Sequence, residues 1–305
     1  MPQWNEYHTP QTLAEALATL ARYGGEARII AGGTDLMLDL RYGADEPLAA
    51  LVDVTRIPEL SGIQQKGDYA VVGAAVTHTG IVASALLEAR ATCLVESCGV
   101  VGGPQVRNVG TLGGNVAHAL PAGDGTISLV ALAATAEIAW SDGRREWKPI
   151  LDLYAGPGVS ALDSTRDVLV RFRFALAGPG EASAFKRIMR PQGVALPVLG
   201  CAVWVKLDDT REHYADARVC IGPVARTPIR AEAVEAALRG QPVGPAAIDA
   251  AVQAGQASLQ PRTSKYRATA DYRRHMLETL LRGALPLAAR RAQTGEAQAE
   301  GVGLA

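Results

Sequence analysis

Two stretches of the chain place glycines, hydroxyls and amides at a spacing suited to gripping an anion. The first is Ala31-Gly32-Gly33-Thr34-Asp35, which follows the short strand-like run Arg28-Ile29-Ile30. Glycine lets the backbone come close to a ligand and adopt positive φ. Successive backbone N–H groups can then converge on oxygens, and Thr34 adds a hydroxyl donor. Taken singly, such a glycine pair reads as an ordinary tight turn. The second stretch is Gly110-Thr111-Leu112-Gly113-Gly114-Asn115, within the densest glycine region of the chain, residues 99–125. It supplies backbone donors, a hydroxyl and an amide side chain at close spacing. Two such turns, each followed by helix-forming sequence, suit one long ligand with a diphosphate at its middle.

The side chains around these turns have two readings each. Arg107 could offset phosphate charge or be a solvated loop arginine. Asp124 could accept from sugar hydroxyls or cap the next helix, and both can hold at once. His118 is a lone histidine and reads as structural rather than as a base. No G-x-G-x-x-G follows a strand and no G-x-x-x-x-G-K-[ST] is present, so Rossmann and P-loop sites lack their residues.

The elements that must carry these turns are legible. Thr9-Pro10 looks like a helix start, with Leu13, Leu17 and Leu20 on one face and Gly24-Gly25 as the stop. Residues 28–31, a short helix over 36–41 and a strand over 51–54 then make a small β-α-β unit. Tyr69–Gly73 reads as a strand, and 79–88 and 94–101 as helices. A hairpin turns at Asp142-Gly143, and Val168–Phe174 alternates like a half-buried strand. Beyond the Gly178-Pro179-Gly180 joint, residues 183–188, 198–207 and 217–221 suggest one antiparallel sheet. Helices follow over 229–238, 246–257 and 270–281. The Ala-, Gln- and Glu-rich stretch 289–305 is expected to be disordered.

Composition narrows the classes. The chain has 305 residues, 48% hydrophobic and 20% charged, with a formal net charge of −1. That balance gives no electrostatic case for nucleic acid. No apolar run reaches transmembrane length, and MPQWNEYHTP lacks the layout of a signal peptide. A cytoplasmic protein is expected. Cys93, Cys98, Cys201 and Cys220 form no C-x-x-C pair, so they read as reduced, buried thiols and no metal site is expected.

The text around the turns resembles the flavoprotein subunit of molybdenum hydroxylases. That family includes the medium subunit of carbon monoxide dehydrogenase and the flavin domain of xanthine dehydrogenase. The resemblance rests on both glycine motifs, on Arg107-Asn108, Asn115-Val116-Ala117-His118 and Pro121-Ala122-Gly123-Asp124. It extends to Phe185-Lys186-Arg187, to residues 218–228 and to Ala270-Asp271-Tyr272-Arg273-Arg274, and so covers about residues 4–285.

The resemblance implies an α+β chain. Its FAD-binding fold is of the vanillyl-alcohol-oxidase (PCMH) type, in two subdomains over 1–56 and 57–178. A C-terminal domain over 179–288, an antiparallel sheet with a helical bundle, completes it. It implies FAD as the cofactor of this chain. Ala31, Gly32, Gly33, Thr34 and Asp35 would hold the diphosphate, with Thr111, Gly113, Gly114 and Asn115 opposite. Asp124 matches a cofactor-contacting position, and Leu169 and Lys186 match positions near the isoalloxazine ring. Plain core and a surface lysine are the other readings of those two. Val101-Gly102 stands where some relatives carry an aromatic residue, so Gly102 joins the expected lining.

The implied partners are a large molybdopterin-binding subunit and a small subunit with two-iron iron–sulfur clusters, in a dimer of heterotrimers. The chain would relay electrons to an external acceptor, and no catalytic acid, base or nucleophile is then expected on it. Two other readings remain open. One is a self-contained FAD-dependent oxidoreductase acting directly on a small substrate; the other is a flavin-free scaffold subunit.

Overall fold

A computed structural model describes residues 3–43, 47–190, 196–265 and 267–301. The chain opens with a strand that the sequence reading missed, β1 (Trp4–His8), and α1 (Leu13–Tyr23) follows. Thr12, not Thr9, is the N-cap: its hydroxyl accepts from the Glu15 N–H, while Glu15 accepts from the Gln11 N–H. The capping pair lies three residues later because Thr12 has an acidic partner at the third helical position and Thr9 does not. Next come β2 (Ala27–Ile30), α2 (Leu36–Tyr42) and β3 (Leu48–Asp53). The strands form a parallel sheet in the order β1-β3-β2. Ala16, Leu20, Ala27 and Val52 fill its core, joined by Val168 and Val170 from a later strand.

The middle of the chain is built on a five-stranded sheet. It begins with β4 (Ile63–Lys66) and β5 (Tyr69–Gly73). Six short helices follow: α3 (His78–Val82), α4 (Ala85–Arg90), α5 (Thr92–Gly99), α6 (Pro104–Val109), α7 (Leu112–Ala117) and α8 (Asp124–Ala131). The single helix expected over 79–88 is thus two, divided where the Ser84 hydroxyl caps the second. Then come β6 (Thr135–Ala139), β7 (Arg145–Pro149), the small pair β8 (Tyr154–Gly156) and β9 (Val159–Ser160), and β10 (Val168–Ala175). The sheet order is β4-β5-β10-β6-β7, with each neighbouring pair antiparallel. The β6–β7 hairpin turns through Gly143 at φ +86°, as Asp142-Gly143 indicated.

The last sheet contains β11 (Glu181–Met189), β12 (Pro197–Leu207), β13 (Tyr214–Gly222) and the two-residue β14 (Ile229–Arg230). Helices α9 (Glu232–Leu238), α10 (Pro245–Ser258) and α11 (Ala270–Thr294) follow. Side-chain alternation gives the sheet two dry faces. Phe185, Ala202, Trp204 and Cys220 join the core of the middle unit. Ala182, Ala184, Cys201 and Val203 join the core beneath α9–α11.

The expected disorder from residue 289 onward is corrected. Helix α11 continues to Thr294, with Ala289 and Ala292 buried, and Gly295 ends it at φ +77°. Arg291 forms a buried 2.7 Å ion pair with Glu96 of α5. The following segment folds back, with the Glu300 N–H donating to Glu96 and the Lys186 ammonium to the Glu300 carboxylate. The stretch's alanines, arginines and glutamines are strong helix formers once one face is buried. Residues 302–305 lie outside the described residues.

Candidate functional site

Strand β2 delivers the first glycine turn to the edge of the second. Gly33 sits at φ +66°, which favours glycine. Gly32 faces the backbone of residues 109–110, and a Cβ there would lie 2.1 Å from the Val109 carbonyl oxygen. The two turns are therefore in main-chain contact. Among the described residues, the backbone N–H groups of Gly32, Gly33, Thr34 and Asp35 have no hydrogen-bond partner. Thr34 and Asp35 also lack a side-chain hydrogen bond, and Asp35 stands at the N-cap of α2 without capping it. Four adjacent donors at a helix start form a nest suited to an anion.

The second turn spends its donors differently. Leu112 N–H donates to Val76 and Gly113 N–H to Ala74, while Gly114 N–H donates to the Thr111 hydroxyl. Asn115 N–H donates to the Thr111 carbonyl. Gly113 is packed so closely that a Cβ would meet the Ala74 carbonyl oxygen at 2.6 Å. Gly114 is exposed, and a Cβ on it would meet only the Thr111 hydroxyl, at 3.2 Å. The Asn115 side-chain carbonyl accepts from Thr126 N–H at 3.1 Å and so caps α8. Asp124 does not cap that helix; Gly123 holds the N-cap position.

Asp124 is buried and turns instead to β11. Its Oδ2 pairs with Arg187 Nη1 at 2.5 Å. Its Oδ1 and the Arg187 Nε are both buried without a partner. Burial pushes the Asp124 carboxyl up to about 6 despite the opposing Arg187 charge. A buried acceptor and a buried donor left open at one ion pair fit a polar group arriving from outside the chain.

Arg107 takes neither of its expected roles. It is buried, and its Nη1 donates to the carbonyls of Val101 and Gly102 at 3.4 and 3.1 Å. It thereby fixes the loop at Gly102, which adopts φ +51°. His118 Nε2 lies 3.8 Å from Asp35 Oδ1 and links the two turns across the cleft. His78 was not anticipated. Its N–H donates to the Gly110 carbonyl, and its buried ring has an unpartnered Nδ1. Burial, with the Arg107 charge second, lowers its pKa to about 4. The sequence signal was Thr77-His78 four residues past the end of β5: Thr77 caps α3 and turns His78 inward.

The lining accordingly fits a dinucleotide. Open N–H donors meet the needs of a diphosphate, and the unpartnered Asp124 oxygen meets those of a hydroxyl or N–H donor. Comparison with known proteins agrees. A family model described as "FAD binding domain in molybdopterin dehydrogenase" matches residues 3–174. A second, "CO dehydrogenase flavoprotein C-terminal domain", matches residues 183–287. The chain belongs to this molybdopterin dehydrogenase flavoprotein family.

Relatives in the family include the carbon monoxide dehydrogenase medium chain of Hydrogenophaga pseudoflava, 32% identical over 93% of this chain and 97% of that one. The xanthine dehydrogenase FAD-binding subunit of Escherichia coli O157:H7 is 30% identical over 90% and 92%. A solved Hydrogenophaga pseudoflava carbon monoxide dehydrogenase chain superposes with a TM-score of 0.86 at 31% identity, covering 96% of this chain and 99% of that one. Quinoline 2-oxidoreductase from Pseudomonas putida 86 gives 0.85 at 26% identity, over 94% and 97%.

Ala31 packs on the first core beside the turn. Leu169 is core, on β10 opposite Ile138. Lys186 lies on the α11 face of β11, near Gly283, and pairs with Glu300 at 2.8 Å. Strand alternation gives the inward position to Arg187. The four cysteines are buried free thiols, and among the described residues no cluster of side chains suits a metal. Among the described residues, no helix is long and apolar enough to cross a membrane.

Proposed function

We infer that this chain is the FAD-binding, electron-relaying subunit of a molybdenum hydroxylase complex. It works in the cytoplasm with a large molybdopterin-binding subunit and a small subunit carrying two-iron clusters, in a dimer of heterotrimers. The family models support the broad role; the relatives' names "medium chain" and "FAD-binding subunit" support the place beside other subunits. The observation that carries the reading is the row of open N–H groups on Gly32, Gly33, Thr34 and Asp35, in main-chain contact with the second turn.

In this reading the first turn binds the diphosphate. Thr111 and Gly114 close the other wall, with Gly114 leaving room for close approach. Asp124 orients the bound group through its free Oδ1, and Arg187 holds that carboxylate ionised in a site that excludes water. When bound, FAD supplies reversible one- and two-electron chemistry. The chain's own residues bind, orient and shield; none needs to transfer a proton. Units over 1–56, 57–178 and 179–288 are proposed, and the three apolar cores support them, with α11 carrying the third core past residue 288 through Ala289 and Ala292.

The test is co-expression with the neighbouring large and small subunits. A yellow complex with about one FAD per copy of this chain is expected, assembling in equal proportions. A colourless chain, or one that oxidises a small substrate without partners, would overturn the reading.

A further inference from the structure

A cleft of about 350 Å³ lies wholly within the C-terminal unit, between the start of β13, the start of α10 and the second half of α11. None of its lining residues belongs to the glycine turns or to the Asp124–Arg187 pair. Val243, Pro245, Ile248, Pro286 and Ala289 make its walls apolar, and Tyr214 is the one aromatic residue among them.

The polar groups of the lining differ in how far they are satisfied. Arg282 is held by Asp249 at 2.7 Å and by Glu278 at 2.8 Å. Arg290 faces Glu300 at 3.5 Å. The Gln293 amide donates to the Arg211 carbonyl at 3.1 Å. Both cations thus have carboxylates beside them, and the cleft carries no charge that calls for a counter-ion. Tyr214 is the exception. It is fully buried, its backbone N–H and carbonyl are bonded to Gln241 and Gly240, and its hydroxyl has no partner. Burial pushes that hydroxyl up to about 12, so it keeps its proton and can donate at neutral pH. A buried hydroxyl without a partner is costly, and one beside a cleft can be satisfied from outside the chain.

The start of α10 favours the same kind of visitor. Gly244 holds the N-cap position and has no side chain to cap with, and the first turn has no acidic residue. The positive end of a 14-residue helix therefore meets the cleft without a negative group against it. Both features favour an acceptor oxygen.

We propose that this cleft is a binding site for a small, uncharged apolar molecule bearing one carbonyl-type acceptor, which takes the hydrogen bond of the Tyr214 hydroxyl. The volume is at the low end for small-molecule pockets and suits a single ring with short substituents. The apolar walls hold the ring, and the hydroxyl sets its orientation. The site is independent of the flavoprotein reading.

The experiment titrates the full-length chain with acetophenone and with ethylbenzene, and ligand-observed NMR reads the binding. The two probes are alike in shape, and only the first has an acceptor. Acetophenone is expected to bind about five- to ten-fold more tightly. Tyr214→Phe keeps the ring and should bring the two affinities together by weakening acetophenone alone. It removes an unpaired buried hydroxyl, so its melting temperature should equal or exceed the parent's. Ile248→Trp, at a half-buried position, fills the cleft and should expel both probes. Absence of saturable binding of either probe overturns the proposal, as does a preference for acetophenone that survives Tyr214→Phe. Benzoate binding more tightly than acetophenone would overturn the assignment of an uncharged ligand. FAD content per chain is expected to be the same in the parent and both variants. A flavin-free chain that still discriminates between the probes would sink the flavin reading and leave this one standing.

Discussion

The two glycine turns look alike in sequence and are used in different ways. In the first, four consecutive backbone N–H groups have no acceptor among the described residues. In the second, the N–H groups from Leu112 to Asn115 are all taken by Val76, Ala74 and Thr111. Gly32 and Gly113 are both glycine because main chain lies where a Cβ would go, at 2.1 and 2.6 Å. Yet Gly32 brings a donor nest up to its neighbour, whereas Gly113 locks α7 onto the end of β5. Similar motifs thus divide the work: one turn offers hydrogen bonds outward, and the other is a rigid wall whose bonds face inward. Glycine density marks close approach; what approaches is decided by the partners of the N–H groups.

Gly32→Val should break this arrangement most severely. The added side chain would separate the turns, abolish FAD retention and cost on the order of 3 kcal/mol or more of stability. Flavin absorbance per chain and a thermal melt would both have to fall; a variant retaining either would mean the turns do not touch as described. Next are Gly113→Ala and Gly114→Val, which ought to separate fold from binding. Gly113→Ala overpacks against the Ala74 carbonyl and should cost about 1–3 kcal/mol, with and without flavin. Gly114→Val should leave the FAD-free melt within about 0.5 kcal/mol while weakening flavin binding ten-fold or more. The reverse pattern would make Gly113 the ligand-facing residue.

Asp124→Asn is expected to have a smaller, pH-dependent effect. The folded chain holds a proton on Asp124 up to about pH 6, against a usual value of 3.8. That stabilisation is complete below pH 3.8 and is lost as pH rises through about 6. His78 works oppositely: its folded value of about 4 against 6.5 gives stability that is present above pH 6.5 and lost as pH falls through 4. Between pH 4 and 6, the Asn variant should therefore gain stability with rising pH more steeply than the parent. Chemical denaturation across that range measures it, and parallel profiles would refute the assignment. The mildest change is His118→Ala. Its 3.8 Å contact with Asp35 is partly exposed, so its loss should cost no more than about 1 kcal/mol. Turnover by the assembled complex should stay within a few-fold of normal. A collapse in rate would show that His118 does more than bridge the turns.

Much of the fold was legible because local rules sufficed. The Asp142-Gly143 hairpin, the alternation of Val168–Phe174 and the three long strands of the last sheet follow from turn chemistry and period two. Where the reading failed, the deciding contact was distant in sequence. Arg291 keeps α11 helical by pairing with Glu96, 195 residues away. Lys186 and Arg187 point to opposite faces of the sandwiched strand β11, Lys186 towards Glu300 and Arg187 towards Asp124, so one residue's difference reverses the direction of a side chain.

What the sequence determined by itself was the inventory: two glycine turns after apolar strands, and family text along most of the chain that names the ligand class. Glycine's freedom and strand periodicity are local properties, so they can be read residue by residue. Only the tertiary structure decided which N–H groups remain open, that Asp124 meets Arg187, and that the Tyr214 hydroxyl is left without a partner. Those outcomes depend on which backbone and side-chain groups fill each other's hydrogen bonds across the fold, and a linear order of residues does not state those pairings.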